Sequence, residues 1–228
     1  MTRDGLQHEL DELAADVEEM ADLVLDRLGL ALDALAEGDE TGARVVHDGD
    51  DVVNEQYLDI ERRCIDLVAL RQPVAGDLRF VAASFKIITD LERIADLAAN
   101  LASYALAADR ELFSEVNLAD IGDLATGMVE DAVAAYVRRD DGWLCHEVAD
   151  RDNELDALCS HASNVVVRAL IEHEATDDER DDAAIEAFMQ DVSVLFLTLR
   201  DLERVGDHAV NVAARTLYMT TGSDELIY

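Results

Sequence analysis

The sequence predicts an all-α fold made of two tandem, similar bundles of three long helices, and three observations lead to this prediction. The chain of 228 residues is rich in alanine and leucine and has a single proline, a composition that favours helices. Apolar residues recur at spacings of three and four over six long segments, which is the pattern of amphipathic helices. Two nearly identical stretches, DLERIADLAANLA at 90–102 and DLERVGDHAVNVA at 201–213, indicate that one unit occurs twice.

The first three predicted helices form one bundle. The first helix covers residues 6–36 and ends at an acidic turn with a glycine. The second covers 40–70 and stops before Pro73, because a residue that precedes proline disfavours the helical conformation. The third covers 77–108 and begins at Asp77, whose carboxylate suits the N-cap or first turn of a helix.

The helical pattern breaks over residues 109–117, and a second bundle of three helices follows. Its predicted helices cover residues 118–139, 143–172 and, after a polar stretch, 181–219. Long helices with short connections pack antiparallel. We therefore expect the first bundle at residues 1–111 and the second at 112–228.

The chain carries an extreme negative charge. Asp and Glu number 52 against 18 Lys and Arg, so the formal net charge is −34, and Lys86 is the only lysine. High charge with low hydrophobicity is typical of disorder, but half of these residues are hydrophobic. At roughly 1 M salt the Debye length falls to about 3 Å, which screens self-repulsion while the carboxylates stay hydrated. We therefore expect a salt-adapted protein from a haloarchaeon.

The same features exclude several classes of function. Nucleic-acid binding requires clustered Lys and Arg, and insertion into a bilayer requires an apolar run of about 20 residues; the sequence has neither. Its acidic, amphipathic N-terminus is not a signal peptide, so we expect the protein in the cytoplasm. The sequence shows no nucleophile–base pair and no glycine-rich phosphate loop, which favours a protein without enzymatic activity.

Each copy of the repeat has carboxylates on one face of its helix. One or two turns toward the N-terminus, the same face is apolar. In the first copy Glu92 and Asp96 are four residues apart, and in the second Glu203 and Asp207 have the same spacing. Residues four apart lie about 40° from each other around a helix, hence on one face. Carboxylates on a face that tends inward are costly unless they are paired or bound to a metal.

Two kinds of partner remain open for these carboxylates. Arg93 and Arg204 lie about 100° from the neighbouring glutamate, so each pairs more easily with an acid on another helix, or with Asp90 or Asp201 three residues earlier. A metal is the alternative, because carboxylate oxygens are hard ligands that suit magnesium, calcium, manganese or iron. The carboxylates on adjoining helices that would complete such a site are Asp50, Asp152 and Asp156.

Residues 71–102 read RQPVAGDLRFVAASFKIITDLERIADLAANLA, which resembles the signature of the PhoU family of phosphate-uptake regulators. The likeness includes the Arg-Gln-Pro turn, the Asp-Leu-Arg start of the third helix and the Leu-Glu-Arg-Ile-x-Asp core. Residues 200–222 repeat it as RDLERVGDHAVNVAARTLYMTTG, and their closing Tyr-x-x-Thr-Gly also resembles the end of the family. The resemblance covers essentially the whole chain.

The resemblance implies a homodimeric adaptor built from two three-helix bundles. Such adaptors repress phosphate uptake when phosphate is plentiful, by acting on the ATPase of the phosphate ABC transporter and, in bacteria, on a sensor histidine kinase. Members of the family bind metals, including multinuclear iron or zinc clusters, through E/D-x-x-x-D motifs at one surface site per bundle. Carried over, the implied ligands are Glu92, Asp96, Glu203 and Asp207, with Asp50, Asp152 and Asp156 as weaker candidates.

The two copies differ at two positions beside these ligands. Ala95 stands where the second copy has Gly206, and Leu97 where it has His208. Neither difference removes a carboxylate, but metal occupancy can differ between the bundles. We set His208 aside as a ligand, because its counterpart is apolar.

Two other functions compete with the adaptor. One is a carboxylate-bridged metal enzyme or metal-storage bundle, in which the metal is held by Glu-x-x-His motifs; the sequence has no such motif, which disfavours this function. The other is a helical scaffold that binds no metal.

Overall fold

The protein is helical throughout the part of the chain that its computed structural model describes, which comprises residues 3–49, 51–107, 116–139, 142–176 and 182–227. Within these residues there are seven α-helices and no β-strand, which confirms the all-α prediction. The helices are α1 (Arg3–Glu37), α2 (Glu40–Asp48), α3 (Asp51–Asp66), α4 (Gly76–Ala107), α5 (Leu118–Arg138), α6 (Trp143–Thr176) and α7 (Asp182–Thr221). A π-helical turn, Leu67–Arg71, continues α3.

The helix predicted over residues 40–70 is divided into α2 and α3. Arg27 of α1 is buried, and its guanidinium donates hydrogen bonds to the backbone carbonyls of Val46 at 2.6 Å and Gly49 at 2.8 Å. The last carbonyls of a helix have no partner within that helix, so the guanidinium satisfies carbonyls at and just beyond the end of α2. The prediction of one continuous helix is wrong: α2 ends with Gly49 as its C-cap residue, and Arg27 stabilises this end.

Both halves of the chain contribute to one continuous hydrophobic core. In the first half α1, α3 and α4 pack together, and in the second α5, α6 and α7 do so. In addition, α4 packs along α7 and α1 packs against α5, so the two halves are in extensive contact. The boundary that we expect between residues 111 and 112 lies outside the described residues.

The two copies of the repeat contact each other reciprocally where α4 packs on α7. Asp90 Oδ1 accepts hydrogen bonds from His208 Nδ1 at 2.9 Å and from Asn211 Nδ2 at 3.4 Å. In the opposite sense, Asp201 Oδ2 accepts a hydrogen bond from Asn100 Nδ2 at 3.3 Å. Because the start of each motif meets the end of the other, α4 and α7 run antiparallel. We refer to the pairs Asp90–Asn211 and Asp201–Asn100 as the reciprocal Asp–Asn contacts.

Asp201 is the fully buried carboxylate of these contacts. Besides its asparagine, it accepts hydrogen bonds from Tyr104 Oη at 3.0 Å and from Nε and Nη2 of Arg200 at 3.0 and 2.8 Å. Arg204 lies 3.5 Å away, which confirms the predicted Arg204–Asp201 pair. A buried carboxylate is stable only when donors and cations surround it in this way, so this cluster fixes α7 against α4.

Candidate functional site

Four of the predicted carboxylates lie near one another in the second half, on α6 and α7. Partial burial, and then the negative charges of Asp156, Asp207 and Glu203, raise the pKa of Asp152 from 3.8 to about 6. Partial burial and Asp156 also raise the pKa values of Glu203 and Asp207. Like charges that raise one another's pKa values form a site of excess negative charge, where a bound cation is favourable. We refer to Asp152, Asp156, Glu203 and Asp207 as the second-half carboxylate cluster.

Asp152 is the most constrained residue of this cluster. Its Oδ1 atom is buried and accepts no hydrogen bond. A Cβ atom at Gly206 would lie 3.3 Å from this oxygen and 2.3 Å from Leu155 Cδ2. Because no side chain fits there, the glycine allows α7 to approach α6 closely. The close approach brings the α7 carboxylates to those of α6.

The equivalent carboxylates of the first half are arranged differently. Arg93 pairs with both of them, its Nε 3.4 Å from Glu92 Oε2 and its Nη1 3.1 Å from Asp96 Oδ2. The prediction that Arg93 pairs with Asp90 or with an acid of another helix is wrong, because its ion pairs among the described residues are with Glu92 and Asp96 of its own helix. Arg93 thus offsets part of the negative charge of the first-half pair by direct contact. In the second half, Arg204 and His208 act to lower the pKa of Asp207, but burial and Asp156 outweigh them.

The neighbouring helix also supplies less charge in the first half. Asp50 lies outside the described residues, so its role as a ligand stays a prediction. The run DDVVN at 50–54 resembles DNELD at 152–156, so Asn54 in α3 corresponds to Asp156 in α6, and it is neutral. The two E-x-x-x-D motifs therefore have unequal surroundings.

The chemistry of the second-half carboxylate cluster fits a hard cation. Its donors are all carboxylate oxygens, and one of them is buried without a hydrogen bond. The side chains do not form a finished ligand set, since no group of three or more His, Cys, Asp or Glu side chains among the described residues is arranged to hold a metal ion. A cation would therefore have to draw the carboxylates together.

Three polar residues of the α4–α7 contact were not singled out from the sequence as contacts between the halves: Asn100, Tyr104 and Asn211. A signal for two of them is present, because each copy of the repeat has an asparagine ten positions after its first aspartate. His208, which we set aside as a ligand, bonds to Asp90 across the same contact. Tyr104 has no counterpart of its kind in the second copy, where Arg215 stands.

The raised pKa of Asp152 predicts a pH dependence of stability. Because its pKa in the folded state, about 6, lies above the ordinary 3.8, the folded protein binds this proton more readily than the unfolded chain. The metal-free protein should therefore gain stability as the pH falls from about 7 to about 5. Asp152→Asn should remove that part of the gain, as measured by urea unfolding in chelator-treated samples. Glu154→Gln, an exposed change on the same helix, is the control; identical pH profiles for Asp152→Asn and wild type would contradict the prediction.

The fold and the carboxylates define a class of protein: a chain that is helical over its described ranges and contains two similar helical units, each with an E-x-x-x-D motif on its last helix. No helix in the described ranges is long and apolar enough to cross a membrane. The family model for the PhoU domain matches the chain twice, at residues 17–105 and 118–216. The chain therefore belongs to the PhoU family, as its sequence predicts.

Known relatives resemble the chain over nearly its full length. A phosphate-specific transport system accessory protein PhoU homolog from Pseudomonas putida is 33% identical over 219 residues, which are 95% of this chain and 80% of the relative. The phosphate-specific transport system accessory protein PhoU homolog 1 from Methanothermobacter thermautotrophicus is 33% identical over 215 residues, which are 93% of this chain and 92% of the relative. These relatives are accessory proteins of phosphate transport.

Two solved structures share the fold. The crystal structure of PhoU from Pseudomonas aeruginosa matches with a TM-score of 0.82 at 30% identity, over 95% of this chain and 99% of that chain. The structure of the phosphate transport system regulatory protein PhoU from Streptococcus pneumoniae matches with a TM-score of 0.82 at 25% identity, over 96% of this chain and 98% of that chain.

Proposed function

We propose that this protein is a non-enzymatic regulator of phosphate uptake, which acts in the cytoplasm as an adaptor on the ATPase of the phosphate ABC transporter. It lowers uptake when phosphate is plentiful. The observation that carries the proposal is the double match to the PhoU domain, together with relatives that are accessory proteins of phosphate transport. A homodimer is the proposed assembly, and a sensor histidine kinase is a second proposed partner.

We further propose that the second-half carboxylate cluster binds a metal, and that the first-half pair binds one more weakly. Iron or zinc is implied by the family resemblance, and the all-oxygen donor set also suits magnesium or manganese. When bound, the cation would supply positive charge that relieves the repulsion among Asp152, Asp156, Glu203 and Asp207. These side chains would hold α6 and α7 together around it. No observation favours the competing metal enzyme or storage bundle.

A pulldown tests the adaptor proposal, and two matched double variants test the metal proposal. Purified wild type should retain the transporter ATPase in a pulldown, and more of it at high phosphate than at low phosphate. Glu203→Ala/Asp207→Ala should lose most bound metal by elemental analysis, whereas Glu92→Ala/Asp96→Ala should lose less, because Arg93 already offsets part of that charge. Unchanged metal content in both variants would reject the ligand assignment, and a wild type that never retains the ATPase would reject the adaptor.

A further inference from the structure

An apolar groove of about 450 Å³ lies between α4 and the C-terminal part of α3 with its π-helical continuation. Ile65 and Val68 line one side of the groove and are 55% and 45% exposed, while Val81 and Phe85 line the other side. No lining residue is acidic, although 52 of the 228 residues of the chain are Asp or Glu. The groove therefore lacks the negative charge that is typical of this protein's surface.

A single cation lines the groove. Lys86, the only lysine of the chain, is its one charged lining residue. It forms no ion pair with any residue in the described part of the chain. A protein with so many carboxylates offers many potential partners to a lysine, so a lysine that pairs with none of them is available to a carboxylate from outside.

Corresponding positions of the second half are also exposed and apolar. Val167 matches Ile65 and is 45% exposed, and Phe196 matches Phe85 and is 36% exposed. Exposed apolar surface is unfavourable by roughly 25 cal/mol per Å², and clustered apolar side chains mark interaction surfaces. The lysine is different, because Leu197 occupies its position in the second half.

We propose that the groove docks an amphipathic helix of a partner protein, whose apolar ridge lies between α3 and α4 and whose flanking carboxylate pairs with Lys86. A cleft between two packed helices suits a third helix that presents large side chains at i, i+3 or i+4, and i+7. The lysine and the absence of acidic lining residues select a partner that carries a carboxylate. This inference rests on the proposed function, in which the partner is the transporter ATPase.

Equilibrium binding of the purified ATPase tests the groove. Val68→Asp adds a charge to the apolar surface and is expected to weaken binding at least tenfold. Lys86→Glu reverses the one cation and is expected to weaken binding by a smaller factor, about threefold, because salt screens an exposed ion pair. Val45→Asp is the matched control, because Val45 is 59% exposed on α2 and does not line the groove; its affinity should equal that of wild type. Circular dichroism and urea unfolding verify that each variant is folded.

Carbodiimide crosslinking provides a second measurement, because it joins a lysine amine to a carboxylate in direct contact. The complex should yield a link between Lys86 and an Asp or Glu within an amphipathic helical segment of the ATPase, identified by mass spectrometry. Lys86→Arg retains the charge, so it should bind normally but lose this crosslink.

The outcomes separate the groove from the proposed function. A wild type that does not bind the ATPase rejects the adaptor, and the groove proposal falls with it. A wild type that binds, with groove variants that bind equally well, rejects the groove alone. If the groove variants instead change the oligomeric state by light scattering and leave ATPase affinity unchanged, the groove joins two copies of this chain and the proposal is overturned. Binding without the Lys86 crosslink rejects the carboxylate pairing.

Discussion

Replacing Asp201 by alanine is expected to lower the free energy of unfolding by about 3 kcal/mol. Removing one partner of a buried ion pair typically costs roughly 3–5 kcal/mol. The low end applies here, because the side chains of Arg200 and Arg204 are 55% and 45% exposed and water can hydrate them when the carboxylate is gone. Tyr104 and Asn100 would lose an acceptor that lies across the contact between the halves.

Urea unfolding at high salt measures this effect, since a buried pair is screened far less than a surface pair. Asp90→Ala is the matched variant in the first copy of the repeat. Its side chain is 16% exposed, and its partners are His208 and Asn211, so we expect a smaller loss of about 1–2 kcal/mol. Glu154→Ala, an exposed change on α6, should leave stability unchanged. If Asp201→Ala behaved like Glu154→Ala, Asp201 would not hold the halves together.

Lowering the salt concentration is expected to unfold the protein. The Debye length is about 3 Å at 1 M salt and exceeds about 10 Å below 0.1 M. Without screening, a net charge of −34 makes the compact state repel itself. Native proteins are stabilised by only about 5–15 kcal/mol. We therefore expect a cooperative loss of helicity as KCl is reduced from about 2 M to about 0.05 M. Far-UV circular dichroism measures this loss.

Sorbitol at matched osmolality is the control for this experiment, because it does not screen charge; KCl should restore more helicity than sorbitol does. The result tests the salt adaptation that the acidic composition leads us to expect. Full helicity and an unchanged melting temperature at about 0.05 M KCl would show that the carboxylates are tolerated without screening, and salt adaptation would then be rejected.

The helix positions could largely be predicted from the sequence, because apolar residues at spacings of three and four lie on the buried face of each helix. The predicted range 118–139 and the observed α5, Leu118–Arg138, nearly coincide. The break between α2 and α3 was not predictable in this way. α2 ends at Gly49, and the guanidinium of Arg27, a residue of another helix, donates hydrogen bonds to the carbonyls there. A periodic pattern contains no information on such contacts between distant segments.

The carboxylates of the candidate site could be singled out from the sequence, whereas the difference between the two halves could not. Repeated spacing led to Glu203 and Asp207, and the electrostatic environment of Asp152 connects them with α6. The state of the first-half pair depends on Arg93, which pairs with Glu92 and Asp96, whereas Arg204 pairs with Asp201. Local sequence does not determine which of several nearby carboxylates each arginine contacts.

The reciprocal Asp–Asn contacts have the form of an isologous interface. In a twofold-symmetric dimer of identical units, residue i of one copy contacts residue j of the other and the reverse contact recurs; here the aspartate of each copy of the repeat contacts the asparagine of the other. In such a dimer every substitution would appear on both sides. Because the two units share one chain, each half can carry its own residues. For example, Lys86 in one half and Leu197 in the other occupy equivalent positions. The pseudo-symmetric protein can therefore present two different surfaces to its partners.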